Sequence, residues 1–192
     1  MADTYNSGSG AGPDAYPIVV LTGFMGSGKT STGRALAELL GWAFVDLDEE
    51  IERRENAPIR ELFRERGEAE FREAERSILR ACLENKPKPT VLALGGGAFL
   101  EAENLALLRE SLARTVFLNT PVEEMLRRCG LDEQCAAQNL RPLASDATAF
   151  RALYQRRLRG YRVAEVTIET QGKDLSQIAD EIVRKLRLNV DL

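Results

Sequence analysis

The chain contains no histidine, and that absence removes a class of chemistry. No Ser-His or Cys-His nucleophile pair can be assembled, and no imidazole can serve as acid or base. Cysteine is scarce. Cys82, Cys129 and Cys135 are odd in number and none stands in a CxxC pair. With no histidine to complete a mixed ligand set, neither a structural zinc nor a disulfide framework is expected. Cys129 and Cys135 read as incidental thiols of a cytosolic protein. No apolar run approaches the roughly 20 residues that span a bilayer. The N-terminus lacks the basic start and apolar stretch of a signal peptide. Basic charge is not in excess either: 26 Lys and Arg against 30 Asp and Glu give a net charge of −4. A nucleic-acid binder would show a basic domain or stripe. The expectation is a cytoplasmic monomer that engages neither nucleic acid nor membrane.

The 192 residues, 44% hydrophobic and 29% charged, suit one domain with an ordinary core. Residues 1–16 are rich in Gly, Ser, Ala and Asp. They bury too little apolar surface to offset their ordering entropy, so they read as a flexible tail before a single domain at 17–192. From Pro17 onward short β-branched runs alternate with helical patterns. Strands are predicted at 17–22, 42–46, 90–94, 115–119 and 166–169. Between them, 30–40 reads as a helix with Ala35, Leu36, Leu39 and Leu40 on one face and Gly41 as its stop. A charged helical stretch follows, broken near Asn56-Ala57-Pro58 and ended by Gly67, with 69–84 helical again. Helices are also expected at 101–112 and 147–160. Thr120-Pro121-Val122-Glu123 has the form of a capping box with proline at the first helical position. Asp174 can cap a last helix whose Leu175, Ile178, Ile182 and Leu186 make an apolar face. Residues 130–145 lose periodicity and read as a loop. Alternating strands and helices mean βαβ units: an α/β fold with a parallel sheet covered on both faces.

Gly23-Phe24-Met25-Gly26-Ser27-Gly28-Lys29-Thr30 matches G-x-x-x-x-G-K-[ST], after a predicted strand and at the opening of a predicted helix. Glycines let consecutive backbone N–H groups turn inward around phosphate oxygens, and the helix N-terminus adds partial positive charge. Lys29 can reach the β- and γ-phosphates and Thr30 can offer its hydroxyl to Mg²⁺. The alternative is a glycine-rich turn that binds nothing. A GTPase would add N-K-x-D and D-x-x-G motifs. Here Asn85-Lys86-Pro87-Lys88 lacks the aspartate, and no glycine has an aspartate three positions before it.

Asp46-Leu47-Asp48 ends the second predicted strand. Strand alternation would put both carboxylates on one side, at the sheet edge where ligands bind. One would then act through Mg²⁺ and its water, the other on a substrate hydroxyl; alternatively, Asp48 simply caps the next helix. Arg72 has Glu75 three residues on to orient it, or is one more solvated helix arginine. Gly95-Gly96-Gly97 either permits close backbone approach by a ligand or is an ordinary strand-ending turn. Arg141-Pro142-Leu143 lies in the irregular stretch. Of Arg156, Arg157, Arg159 and Arg162, most must be solvated.

GFMGSGKT, the D-x-D at 46–48, GEAEFREAE, LGGGA, RPL and the R-x-x-x-Y of Arg157–Tyr161 occur in order. With them the chain resembles shikimate kinase from about Pro17 to Leu188. That resemblance implies a three-layer α/β/α P-loop kinase fold of the nucleoside-monophosphate-kinase type. Its sheet would have five parallel strands, with a substrate-binding subdomain and a mobile lid at about 130–145. It implies ATP-dependent phosphorylation of the 3-hydroxyl of shikimate, on the route through chorismate to aromatic amino acids, with Mg²⁺ as cofactor. Lys29, Asp48 and Arg141 would be catalytic, Asp48 holding the substrate hydroxyls. Gly26, Ser27, Gly28, Lys29, Thr30, Ser31, Arg128 and Arg141 would bind ATP, with Arg128 against the adenine. Thr30 and Asp46 would serve the metal. Arg72 and Arg157 would grip the substrate carboxylate, with backbone contacts from Gly95, Gly96 and Gly97 and an apolar wall from Phe63 and Phe71. The chain departs from the family pattern twice. More residues separate Arg128 from Arg141 than the usual lid needs, and Gln171-Gly172-Lys173-Asp174-Leu175 lacks the proline that often walls the adenine. Two other readings stand beside this one: another small-molecule P-loop kinase, such as one for gluconate or a nucleotide, and a nucleotide-binding module without transfer activity.

Overall fold

Strand β1 (Ile18–Thr22) is buried along its whole length, and its alternate side chains feed two different cores. Ile18 and Val20 face one side of the sheet; Val19 and Leu21 face the other. A strand covered on both faces needs apolar residues at every position, which is why IVVLT shows no polar alternation. The structure is a computed structural model that describes residues 17–84, 89–131 and 147–188.

Around β1 the chain runs α1 (Lys29–Leu40), β2 (Ala43–Asp46), α2 (Leu47–Glu55), α3 (Ile59–Glu84) and β3 (Thr90–Ala93). After a 3₁₀ turn at Ala98–Leu100 come α4 (Ala102–Glu110), β4 (Arg114–Asn119), α5 (Val122–Arg128), α6 (Ala147–Tyr161), β5 (Val166–Glu169) and α7 (Leu175–Leu186). The five strands form one parallel sheet in the order β2-β3-β1-β4-β5. One core joins the sheet to the α2–α6 side through residues such as Phe24, Leu79, Phe99, Phe117 and Tyr161. The opposite core joins it to α1 and α7 through Leu36, Ile178, Ile182 and Leu186. Burying each such side chain is worth about 1.5–3 kcal/mol. The expected α/β architecture with five parallel strands is therefore the observed one. No helix among the described residues is long and apolar enough to cross a membrane.

Several local expectations are corrected. The buried face of α1 is Thr32, Gly33, Leu36, Ala37 and Leu40, while Leu39 is exposed. The helix must cover both the sheet and α7, which rotates its contact stripe away from Leu39. The break at Gly67 is a kink inside α3, with Gly67 at φ 80°, ψ 176°. No capping box forms at Thr120. Pro121 is the N-cap residue and makes no side-chain cap. Thr120 is buried, and its hydroxyl donates to the Ser27 carbonyl at 3.1 Å and pairs with the Thr170 hydroxyl at 2.7 Å. The capping box forms instead at Asp174 with Gln177. The tail at 1–16 and almost all of the expected lid, with Cys135 and Arg141, lie outside the described residues.

Candidate active site

The turns that leave β1, β2 and β3 stand together at the C-terminal edge of the sheet, because parallel strands all point that way. The β1 turn runs from Gly23 to Gly28. Gly28 caps α1 at φ 92°, ψ 18°, a left-handed conformation that a residue with a Cβ adopts only under strain. Ser27 N–H donates to the Phe24 carbonyl at 3.1 Å, which closes the loop. Lys29 curls back over it, and its Nζ donates to the Gly23 and Phe24 carbonyls at 3.0 Å each. Burial lowers the Lys29 pKa, while the charges of Asp48 and Asp46 work to raise it. Ser31 follows on the exposed side of α1. Arg128, at the end of α5, crosses the loop from the far side. It donates to the Gly26 carbonyl at 3.2 Å and pairs with Glu124.

The two aspartates come together by a different route from the one strand alternation suggests. Asp46 ends β2, but Asp48 already lies in the first turn of α2. Asp46, not Asp48, caps that helix: its Oδ1 accepts from Asp48 N–H at 3.0 Å and Glu49 N–H at 3.5 Å. Asp46 Oδ2 accepts from the Thr30 hydroxyl at 2.7 Å. Each oxygen of one carboxylate therefore has its own task. With the cap supplied by its neighbour, Asp48 is free for other work. A Cβ on Gly95 would stand 2.4 Å from Asp48 Oδ1, so the carboxylate occupies the space the glycine leaves. Burial raises the Asp48 pKa, Asp46 adds to the rise, and Lys29 opposes it.

Around the β3 turn, arginines arrive from two distant helices. Arg72 of α3 donates to Glu75 Oε2 at 2.8 Å, with Glu68 and Glu101 at 3.5 and 3.7 Å. Its guanidinium lies 5.4 Å from the Phe71 ring centroid and 5.9 Å from that of Phe63; the two rings are packed 4.2 Å apart. Glu75 is only 1% exposed. Burial works against the Arg72 charge, but the hydrogen bond and charge of Glu75 outweigh it and hold its pKa above the ordinary value. Arg72 Nε is buried with no hydrogen-bond partner among the described residues. A Cβ on Gly97 would meet Arg72 Nη2 at 2.7 Å. Arg157 of α6 reaches the other side of the turn. Its Nη1 lies 3.4 Å from the Gly96 carbonyl, and its guanidinium sits 5.8 Å from the Phe24 ring centroid. Arg156, Arg159 and Arg162 are exposed, as the solvated majority of that cluster should be.

Of the residues singled out from the sequence, Lys29, Thr30, Asp46, Asp48, Arg72, Gly95, Gly96, Gly97 and Arg157 thus meet along one edge. Gly26, Ser27, Gly28 and Arg128 adjoin them. Two contributors were not anticipated. The Thr120–Thr170 hydroxyl pair ties the phosphate loop to the ends of β4 and β5, and its sequence signal had been read as a helix cap. The Tyr161 hydroxyl donates to the Gly96 carbonyl, and only its four-residue spacing from Arg157 hinted at a shared task. Leu175 is exposed at the start of α7.

The arrangement has three parts: a glycine-rich loop crossed by Lys29, a carboxylate at Asp48, and two arginines against a glycine turn. A profile of the family described as shikimate kinase matches residues 25–187. The shikimate kinase of Persephonella marina is 37% identical over 170 residues, covering 88% of this chain and 98% of that one. That of Moorella thermoacetica is 40% identical over 171 residues, covering 88% and 94%. The structure of shikimate kinase from Acinetobacter baumannii in complex with shikimate superposes with a TM-score of 0.78 at 37% identity, covering 91% of this chain and 94% of that one. A gluconokinase from Sinorhizobium meliloti, at 22% identity and a TM-score of 0.54, shares the fold alone. On sequence and fold together, this chain belongs to the shikimate kinase family.

Proposed function

We propose that this protein transfers the γ-phosphoryl group of ATP to the 3-hydroxyl of shikimate, giving ADP and shikimate 3-phosphate. The observation that carries the reading is the convergence of Asp48, Arg72 and Arg157 on the Gly95–Gly97 turn, beside Lys29 and its phosphate loop. A carboxylated ring with hydroxyls fits that set. The two planar guanidinium groups suit one carboxylate, since each can donate a paired set of hydrogen bonds. Arg72 Nε makes no hydrogen bond among the described residues and has its ion-pair partner Glu101 at 3.7 Å, so the guanidinium is not fully engaged by its own acids.

Phosphoryl transfer through a loose transition state is mostly positioning and charge stabilisation. Asp48 orients the attacking hydroxyl and receives its proton as the phosphoryl group moves; a carboxylate with a raised pKa is better matched to that task than an exposed one. Lys29 leaves the Gly23 and Phe24 carbonyls and turns its charge to the β- and γ-phosphates. Thr30 and Asp46 Oδ2 present two hard oxygens at the loop, a donor pair that fits Mg²⁺, which keeps most of its waters and takes one or two protein ligands. When bound, the ion neutralises charge on the phosphate oxygens. Arg128 serves the adenine side, and Arg141, outside the described residues, serves the transferred group. The protein acts in the cytoplasm as a monomer.

The test is ADP release with ATP and Mg²⁺ and one candidate acceptor at a time. Shikimate-dependent release is expected. Release with gluconate or a nucleotide alone would overturn the acceptor, and no acceptor-dependent release would favour a binding module.

A further inference from the structure

Arg157 and Tyr161, four residues apart on α6, converge on one acceptor. Arg157 Nη1 lies 3.4 Å from the Gly96 carbonyl oxygen, and the Tyr161 hydroxyl donates to that same oxygen. Residues at this spacing leave one face of a helix, a turn apart. Tyr161 is 0% exposed, and its ring stacks on Phe117 of β4, with centroids 5.4 Å apart and planes at 20°. The ring has no room to swing away. Burial first of all pushes the hydroxyl pKa up to about 12, so the group remains a donor throughout the neutral range.

We propose that Tyr161 is a positioning residue for the acceptor's carboxylate: it satisfies the Gly96 carbonyl, and so both fixes the glycine turn and leaves the Arg157 charge available to the acid. A partly buried carbonyl oxygen still gains from a hydrogen-bond donor. Here it has two candidates, and the phenol makes the closer contact. Arg157 is left at the outer limit of hydrogen-bonding distance from that oxygen and also touches the phenol oxygen, which holds it beside the turn without committing it to the carbonyl. Without the phenol, the oxygen's demand would fall on Arg157 alone and draw the guanidinium into the turn. The second consequence concerns the backbone. The peptide joining Gly96 to Gly97 is planar and trans, so its C=O and N–H point to opposite sides. Holding the oxygen toward α6 therefore aims the Gly97 N–H away from α6. Glycine has the widest backbone freedom of any residue, and a run of three would otherwise leave that amide poorly aimed.

The inference rests on shikimate being the acceptor. Tyr161→Phe keeps the stacked ring and removes only the hydroxyl. The expected result is a roughly tenfold rise in both KM and Kd for shikimate, in line with loss of one hydrogen bond that serves a charged group. ATP affinity and kcat at saturating shikimate should stay within about twofold, because these groups lie elsewhere. An unchanged shikimate KM overturns the inference. So does a parallel rise of shikimate KM and ATP KM with a fall in melting temperature, the mark of a merely structural tyrosine. In an Arg157→Lys background the same change should cost less than about threefold, since the partner it frees is gone; full additivity overturns the proposed link. If the unaltered protein fails to use shikimate, the functional reading falls and the inference with it. If the unaltered protein uses shikimate and Tyr161→Phe behaves like it, the inference falls alone.

Discussion

The turns after β1 and β3 leave neighbouring strands of the same sheet, yet they are built by opposite means. The phosphate loop is local. Gly28, Lys29 and Thr30 are consecutive; Lys29 bonds to carbonyls 5 and 6 residues behind it, and the helix that follows supplies the field. The Gly95–Gly97 turn has almost no chemistry of its own. Asp48 fills the space at Gly95, Arg72 that at Gly97, and Arg157 and Tyr161 meet at Gly96 from more than 60 residues along the chain. One site is a motif and the other a meeting place. The lesson is that nucleotide handling and acceptor handling should fail separately.

Lys29→Ala should produce the largest loss, roughly 10³-fold in kcat, as expected for removal of a charge aimed at the transferring group. Shikimate Kd measured without ATP should barely move; a large change there would break the division between the two turns. Arg72→Ala should follow, weakening shikimate binding by about 3 kcal/mol while ATP Kd is unchanged. Equal loss of both ligands would remove Arg72 from the acceptor's carboxylate. Gly97→Ala sharpens the contrast, because its new Cβ would meet Arg72 Nη2 at 2.7 Å. The flexible guanidinium can yield, so melting temperature should hold while shikimate KM rises roughly tenfold through displacement of one charged partner. A drop in stability with KM intact would show that the close approach serves packing alone.

The smallest effect is in pH dependence. Asp48 must be ionised to take a proton, and its pKa is raised by burial, by Asp46 and by Glu52. Activity should therefore be full above that pKa and fall as pH drops through it, with the acid limb of kcat/KM for shikimate above the usual aspartate range. Glu52→Gln removes one raising charge from an exposed side chain, so the limb should move to lower pH with kcat at neutral pH preserved. A limb that stays in place would assign it to another group.

The same contrast explains what was legible. The phosphate loop could be read because its chemistry is written in adjacent letters, and the parallel sheet because a strand covered on both faces shows as an unbroken apolar run. Arg72 and Arg157 could be named through resemblance, yet their meeting at one turn depends on how α3 and α6 pack against β3. Asp46-Leu47-Asp48 was misread in a telling way. The two carboxylates do lie close enough to feel each other's charge, but Asp48 does so from a helix, with Asp46 as that helix's cap. At Thr120 a sequence that favours a cap lost to a buried carbonyl. Ser27 O takes the hydroxyl, because a buried acceptor without a partner costs more than a missing cap at a partly solvated helix end.

The sequence alone determined the order of strands and helices and the glycine-rich loop with Lys29 and Thr30, and, by lacking histidine, it excluded imidazole chemistry. Those follow from periodicity, local backbone geometry and composition, which neighbours in sequence decide. Only the tertiary structure decided that Asp46 caps so that Asp48 need not, that Glu75 is buried to hold Arg72, and that Tyr161 and Arg157 share the Gly96 carbonyl. Each of these is a partnership between groups distant in the chain, created by the need to satisfy every buried charge and hydrogen bond once the core has closed.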